Sequence, residues 1–239
     1  MECELSQRAL VLFSGGQDSS TALAWALERY EYVETVGLNY GQRHAIELEC
    51  RSRIRDAFAR LNPVWAAHLG LDHMISLDLV GQISGEKISP PSTSVVDVPD
   101  EFARAPRYIA GRNMILIALC GSIAYRRLAG AIVTGISETE YSGYPDCRDV
   151  TMKAINAALN LSTGIELKVE SPLMPLTKAG VWLLARELGG EELVEVIVEN
   201  SHTCYAGVRE HRHEWGYGCG DCPACRLRAK GWREFRAPG

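Results

Sequence analysis

The sequence predicts an α/β protein: a doubly wound, mainly parallel five-stranded sheet of Rossmann-like type, with a small helical segment at its C-terminus. Three observations support this. Short apolar runs alternate with stretches of helical period, the pattern of repeated βαβ units. The first run, Arg8 to Phe13, is apolar almost without interruption, as a strand covered on both faces must be. With 239 residues and 46% hydrophobic content, the chain can enclose one large core and carry an appendage. The expected division is a main domain over residues 1–200 and a C-terminal segment over 201–239.

The first strand runs into Phe13-Ser14-Gly15-Gly16-Gln17-Asp18-Ser19-Ser20-Thr21-Ala22-Leu23, a tight turn and a helix start. Gly15 and Gly16 lack a Cβ, so the backbone can take positive φ and come close to a ligand. The freed N–H groups and the positive end of the helix then face one point, which suits an anion. Ser14, Ser19 and Ser20 add hydroxyl donors. Asp18 is out of place in an anion cradle unless it holds Mg²⁺ or caps the helix. No lysine follows the glycines, so the loop is not a Walker A motif.

A helix is expected over Thr21 to Arg29 and a second strand over Val33 to Asn39. That strand ends in Asn39-Tyr40-Gly41-Gln42-Arg43-His44, a polar and aromatic cluster where the crevice of a parallel sheet would lie. Asn39, Tyr40 and Gln42 are therefore candidate nucleotide contacts. A long helix follows over Ala45 to Leu61, and its charges, Glu47, Glu49, Arg51, Arg53 and Arg55, read as a solvated face. A third strand is expected over His73 to Leu77. Gly81 to Pro106, with four prolines and no period, reads as a cover over the site or a dimer contact.

Gly111-Arg112-Asn113 opens an apolar helix from Met114 to Arg126. Arg112 stands at a helix start, where its charge opposes the dipole, and a bound carboxylate or phosphate explains it better than stability does. The fourth strand, Ala131 to Thr134, ends at Gly135, which allows close backbone approach. The loop from Ile136 to Arg148 is rich in donors, acceptors and flat rings. It suits a polar aromatic substrate, with Arg112, Glu138, Tyr141, Tyr144, Asp146 and Arg148 as candidate contacts. Cys147 has no histidine near it in sequence and reads as a bystander thiol. A helix over Val150 to Leu161 and a fifth strand over Ile165 to Glu170 follow. Thr177 fits the N-cap of a helix ending near Leu188, before Gly189-Gly190. Lys178, in its first turn, is a second cation at the wrong end of a dipole, again explained by a bound phosphate. Asp18, Arg112 and Lys178 are thus the candidate catalytic residues.

A net charge of −5 argues against a surface that grips nucleic acid along its length, so no direct nucleic-acid partner is expected. No apolar run approaches the ~20 residues that span a bilayer, and the first residues lack a signal-peptide pattern. Eight cysteines in such a chain point to a reducing cytoplasm, where clustered thiols bind metal rather than pair. Cys204, Cys219, Cys222 and Cys225, the last three in C-G-D-C-P-A-C, can close a tetrahedron around Zn²⁺. A [4Fe–4S] cluster takes as many thiolates, but the ferredoxin continuation x₃-C-P is missing after Cys225. A closed four-thiolate zinc would be structural and would fold a segment with little core of its own. The basic end, Arg226, Arg228, Lys230, Arg233 and Arg236, reads as a solvated helix face.

The stretch FSGGQDSS resembles the S-G-G-x-D-S loop of the PP-loop ATP pyrophosphatases, which cut ATP between its α and β phosphates. The order FSGGQDSS, NYGQRH, GRN, VTGISETEYSGYPDCR, PLMPLTKAG and HTCY…GCGDCPACRLRAKG is similar to the 7-cyano-7-deazaguanine synthase family of that superfamily, over nearly the whole chain. The resemblance implies an adenine nucleotide alpha hydrolase-like fold, ATP and Mg²⁺ at Phe13 to Leu23, and one zinc on the four cysteines. It implies conversion of 7-carboxy-7-deazaguanine, ammonia and ATP to the nitrile, in queuosine biosynthesis. A cytoplasmic homodimer acting on small molecules is expected. Two departures from the family pattern stand out: Ala110 replaces a proline before G-R-N, and Val208 to Trp215 forms an insert between Cys204 and Cys219. Rival readings are a tRNA thiolase or other PP-loop enzyme, a ligase stopping at the amide, and a non-catalytic nucleotide-binding module.

Overall fold

The computed structural model describes residues 7–39, 46–77, 109–139 and 144–237. Its sheet is formed by β1 (Arg8–Leu12), β2 (Tyr32–Asn39), β3 (Leu69–Ser76), β4 (Ala131–Val133) and β5 (Lys168–Glu170). All pairs are parallel, in the order β3-β2-β1-β4-β5, with Leu10 of β1 in register between Glu34 and Ile132. The winding reverses at β1, from which the chain first builds outward to β3 and then crosses to β4. In such sheets the crevice outside the carboxyl ends of the two strands at the reversal receives ligands. The turn after β1 lies in that crevice.

Helices α1 (Gln17–Leu27), α2 (Ile46–Leu61), α3 (Pro63–His68), α4 (Arg112–Arg127), α5 (Asp149–Thr163), α6 (Lys178–Asn200) and α7 (Pro223–Arg236) cover the two faces. Alternate residues of a strand point to opposite faces. Accordingly Ala9, Val11 and Phe13 pack with α1, α2, α6 and α7, while Leu10 packs with Leu116 and Ile117 of α4 and Met152 and Ile155 of α5. Trp232 and Phe235 of α7 meet Trp182 of α6 with ring centroids 5.1 and 6.3 Å apart, in the same cluster as β1.

Several local expectations are corrected. α1 begins at Gln17 rather than Thr21, because extended Gly16 is its N-cap. β3 starts at Leu69 rather than His73, after the short α3, whose cap Asn62 accepts the Val64 N–H at 2.9 Å. α6 does not stop near Leu188: it bends at Gly189 and Gly190 and resumes, since Leu193, Val194, Ile197 and Val198 beyond the bend are buried. The stretch between Cys204 and Cys219 holds a small antiparallel pair, β6 (Arg212–His213), inside the Val208 to Trp215 insert, and β7 (Gly216–Tyr217), just after it. The Gly81 to Pro106 stretch lies outside the described residues.

The two charged faces are solvated at Glu49, Arg53, Arg226, Lys230, Arg233 and Arg236, as expected, but not at every member. Arg51 is 1% exposed and donates to the Phe13 carbonyl and the Asp72 carboxylate. Arg55 donates to Thr35 Oγ1 at 2.7 Å and the Gly70 carbonyl at 2.6 Å. Arg51 shares an i, i+3, i+7 stripe with buried Ile54 and Phe58, so the helix turns it inward. Burial pushes its guanidinium down to about 10, against the pull of Asp72. Arg228 of the basic end is also 1% exposed, on a stripe with Cys225, Trp232 and Phe235.

Candidate active site

The Phe13 amide still pairs with the Val36 carbonyl at 2.8 Å, so the chain leaves the sheet at Ser14. Gly15 then takes φ +90°, in the left-handed region that only glycine enters freely. Gly16 has no side chain to cap α1, and its leading N–H groups receive no side-chain cap. Hydroxyls stiffen the turn. Ser14 Oγ lies 3.0 Å from Ser19 Oγ and accepts the Gly16 N–H at 3.3 Å. Ser19 and Ser20 donate to the Gly16 carbonyl at 3.2 and 2.7 Å, so Ser20 braces the backbone.

The turn lines a cavity of about 160 Å³, with Ser14, Gly16, Gln17, Asp18 and Ser19 on one side and His202, Thr203, Tyr205 and Ala224 on the other. Gln17 is fully buried, and among the described residues neither atom of its amide has a hydrogen-bond partner. A buried amide in that state costs free energy unless a ligand or water completes it. Lys178, 5% exposed, donates to both oxygens of Asp18 at 2.7 Å. Asp18 is therefore not the helix cap; it stands in the first turn of α1 and holds a cation beside the leading amides. A Cβ at Gly135 would lie 2.8 Å from the Asp18 carbonyl carbon and the Ser19 nitrogen, so the exit of β4 rests directly on the turn.

From Gly135 the chain needs only three residues, at most about 11 Å, to reach Glu138. Glu138 lines a second, open cavity of about 530 Å³ with Thr139, Asp149, Met174 and Pro175. The I-S-E-T and P-L-M-P-L-T-K stretches make one wall, through Glu138 N–H to the Met174 carbonyl at 3.3 Å and Ser137 Oγ to the Leu176 carbonyl at 3.0 Å. G-R-N and Y-P-D-C-R also meet. Asp146 accepts the Asn113 N–H at 2.9 Å, and the Asn113 side chain reaches the Asp146 carbonyl and Cys147 Sγ at 3.4 and 3.3 Å. Cys147 is buried; burial first, and then the Asp146 charge, push its thiol up to about 12. At neutral pH it stays protonated and is a poor nucleophile.

The ligand atoms of Cys204, Cys219, Cys222 and Cys225 lie within 4.8 Å of one another and can hold a metal ion. A tetrahedral site with Zn–S of about 2.3 Å requires sulfurs about 3.8 Å apart, and Cys219 and Cys225 stand at 3.9 Å. The N–H groups of Asp221 and Cys222 approach Cys219 Sγ at 3.4 and 3.3 Å and pull its thiol down to about 6, toward the thiolate that binds metal. Gly218 is required here, since a Cβ would lie 2.6 Å from Cys225 Sγ.

Of the candidate nucleotide contacts, the side chains of Phe13, Ala22 and Leu23 pack in the core, and Thr21 donates to the Gln17 carbonyl at 3.1 Å. Asn39 ends β2, while Tyr40, Gln42 and Tyr141 lie outside the described residues. Glu138 accepts the Asp149 N–H at the start of α5 at 3.0 Å. Tyr144 and Arg148 flank the short 3₁₀ turn Pro145–Cys147, and the charge of Arg112, the first residue of α4, reaches Cys147. Sequence reasoning missed Arg51, which holds the Phe13 carbonyl. It also missed His202, whose N–H donates to the Gly15 carbonyl at 3.1 Å, and Arg228, which donates to Ser201 Oγ at 2.9 Å and Thr203 Oγ1 at 3.3 Å. The helical stripes of Arg51 and Arg228 are a usable signal; His202 stands in the HTCY block beside Cys204, but nothing local marks its contact with the turn.

The chain is similar to known proteins over nearly its whole length. The family described as "Queuosine biosynthesis protein QueC" matches residues 8–236. A 7-cyano-7-deazaguanine synthase of Rhodopseudomonas palustris (strain BisB18) is 50% identical over 97% of this chain and 95% of its own. Enzymes of the same name are 51% identical in Paraburkholderia phytofirmans, over 97% and 94%, and 52% identical in Azorhizobium caulinodans, over 96% and 94%. A crystal structure of a 4-thiouridine synthetase–RNA complex with bound ATP shares the fold, with a TM-score of 0.54 and 19% identity. The match covers 96% of this chain and 50% of that one.

Proposed function

The chain belongs to the QueC family of queuosine biosynthesis proteins, and from that premise we propose that it is an ATP-dependent carbon–nitrogen ligase making 7-cyano-7-deazaguanine from 7-carboxy-7-deazaguanine and ammonia. The observation that carries the reading is the turn after β1. Uncapped amides of α1 and the buried Gln17 amide border one cavity with Asp18, which is held by Lys178, at the point where the strand order reverses.

A carboxylate resists ammonia because oxide is a poor leaving group. Attack of the carboxylate on the α-phosphorus of ATP expels pyrophosphate and leaves an acyl adenylate. Ammonia then displaces AMP and gives the amide after loss of a proton. Adenylation of the amide oxygen by a second ATP allows AMP to leave again, and loss of the nitrogen's protons gives the nitrile. One nucleotide turn serves both steps. Pyrophosphate lies against the leading amides of α1 and the Ser14 and Ser19 hydroxyls, while Lys178 neutralises the charge that develops on it. Asp18 together with phosphate oxygens would hold Mg²⁺, the usual mixed ligand set of that ion, which supplies further charge neutralisation at the leaving group. Arg112, Glu138, Tyr144, Asp146 and Arg148, with Tyr141 from the same loop, orient the deazaguanine. Cys204, Cys219, Cys222 and Cys225 would hold a zinc with no open position, which makes it structural. The setting is a homodimer in the reducing cytoplasm, where thiolates stay free for metal; no described helix is long and apolar enough to cross a membrane.

The direct test is to incubate the protein with 7-carboxy-7-deazaguanine, ammonium and Mg-ATP and weigh the product by mass spectrometry. The nitrile is expected. Folded, metal-loaded protein that stops at the amide, or forms nothing, contradicts the reading.

A further inference from the structure

We propose that the four-cysteine segment is a wall of the phosphate cavity, so that a bound metal and a bound nucleotide stabilise one another. The inference rests on the reading above that the turn after β1 holds a nucleotide.

Four of the residues lining the 160 Å³ cavity, His202, Thr203, Tyr205 and Ala224, are neighbours of the cysteines. They flank Cys204 and sit between Cys222 and Cys225 in sequence. The link can be followed bond by bond. Ser201 is tied to the end of α6, its N–H and hydroxyl both donating to the Ile197 carbonyl at 3.1 and 2.5 Å. His202 is fully buried and its N–H holds the Gly15 carbonyl at 3.1 Å, inside the phosphate turn. The Thr203 methyl and the His202 carbonyl both lie 3.4 Å from where a Gly16 Cβ would be, so this strap is pressed against the turn. Cys204 is the next residue.

A second strand of the link comes from α7. Its N-cap is Cys222, whose sulfur accepts the Cys225 N–H at 3.5 Å, and Ala224 in its first turn faces the cavity. Arg228, one turn further, is buried and donates to Ser201 Oγ and Thr203 Oγ1 at 2.9 and 3.3 Å. The strap is thus held at one end by the sulfur cluster and from below by the helix that the cluster starts. Four thiols packed within 4.8 Å repel as thiolates unless a cation joins them. Opening the cluster releases Cys204 and Ala224 together, and with them the wall opposite the α1 amides. A nucleotide that fills the cavity presses the same wall into place. By linkage, the factor by which metal tightens nucleotide is the factor by which nucleotide tightens metal.

The test uses full-length, zinc-loaded protein. Transfer of zinc to a chromogenic chelator is timed with and without saturating Mg-α,β-methylene-ATP, and equilibrium dialysis under the same conditions establishes that the analogue is bound. Release is expected to slow by at least about fivefold, the lower range of site-to-site coupling. Free nucleotide competing for zinc would instead speed it. Thr203→Val and Arg228→Lys keep all four cysteines and are expected to bind zinc while losing most of the slowing. Bound analogue with an unchanged release rate overturns the inference and leaves the proposed function standing, and so does full coupling in both folded variants. Zinc-loaded protein that binds no analogue contradicts the nucleotide reading itself, and the inference with it.

Discussion

Lys178 and Asp18 show how a single pair can be read. A lysine only 5% exposed needs a counter-charge, and Asp18 supplies it from the first turn of α1, placing the ammonium beside uncapped amides. Lys178→Met is expected to lower kcat by roughly 10²–10³, the usual loss when one charge-stabilising group is removed, in protein whose circular dichroism is unchanged. Activity within a few-fold of the parent contradicts the role. Gly135→Ala places a methyl 2.8 Å from the backbone of Asp18 and Ser19. Overpacking of this kind costs about 1–3 kcal/mol, so nucleotide affinity, measured calorimetrically, is expected to fall about tenfold or more. Gly135 and the Gly15-Gly16 pair could be read from sequence because their constraint is local: a strand ends and backbone must come close. The stripe that Arg51 shares with Ile54 and Phe58 marks it as inward-facing, but not what it holds; the partners of Arg51 and His202, the Phe13 and Gly15 carbonyls, are remote in the chain, and a carbonyl leaves no trace in sequence.

Between elements, Glu34 is the clearest tie. It is 2% exposed in β2 and is held by Arg127 at the end of α4 at 2.6–3.1 Å and by His73 of β3 at 2.6 Å. Burial opposes its charge, but the hydrogen bonds from Arg127 and His73 outweigh burial and hold the carboxyl below its ordinary 4.5. A folded-state pKa below the unfolded one means the stabilisation is complete above the ordinary value and is lost as pH falls through the folded value. Glu34→Gln is expected to lose about 2 kcal/mol at pH 7, with the gap to the parent narrowing below pH ~4.5 in urea titrations. A gap that widens with acid contradicts the tie. α6 teaches a different lesson. Two adjacent glycines read as a helix end, yet the apolar residues beyond them draw a second helical stretch onto the core. Gly190 has φ +68° and ψ −169°, and a Cβ there would meet nothing within 4 Å. Gly190→Ala therefore acts through backbone strain alone, and a loss of roughly 1–3 kcal/mol is expected in thermal unfolding. An unchanged midpoint contradicts the bend.

For the whole molecule, the β3-β2-β1-β4-β5 order does most to place the site. It sets the turn after β1 beside the exit of β4, so that motifs far apart in sequence converge on one crevice. The alternation of strands and helices made that architecture legible from sequence. The cysteine segment is legible as a candidate metal site because its spacing is short, but not as a neighbour of the turn, since the straps through His202 and Arg228 are long-range contacts. The central claim is that the turn presents amides to a triphosphate so that the substrate's oxygen leaves on AMP. The most direct measurement uses 7-carboxy-7-deazaguanine labelled with ¹⁸O in both carboxyl oxygens and weighs the nucleotide products. Each AMP released is expected to carry one heavy oxygen, with none in pyrophosphate. Heavy oxygen in inorganic phosphate, accompanied by ADP, would contradict activation at the α-phosphorus.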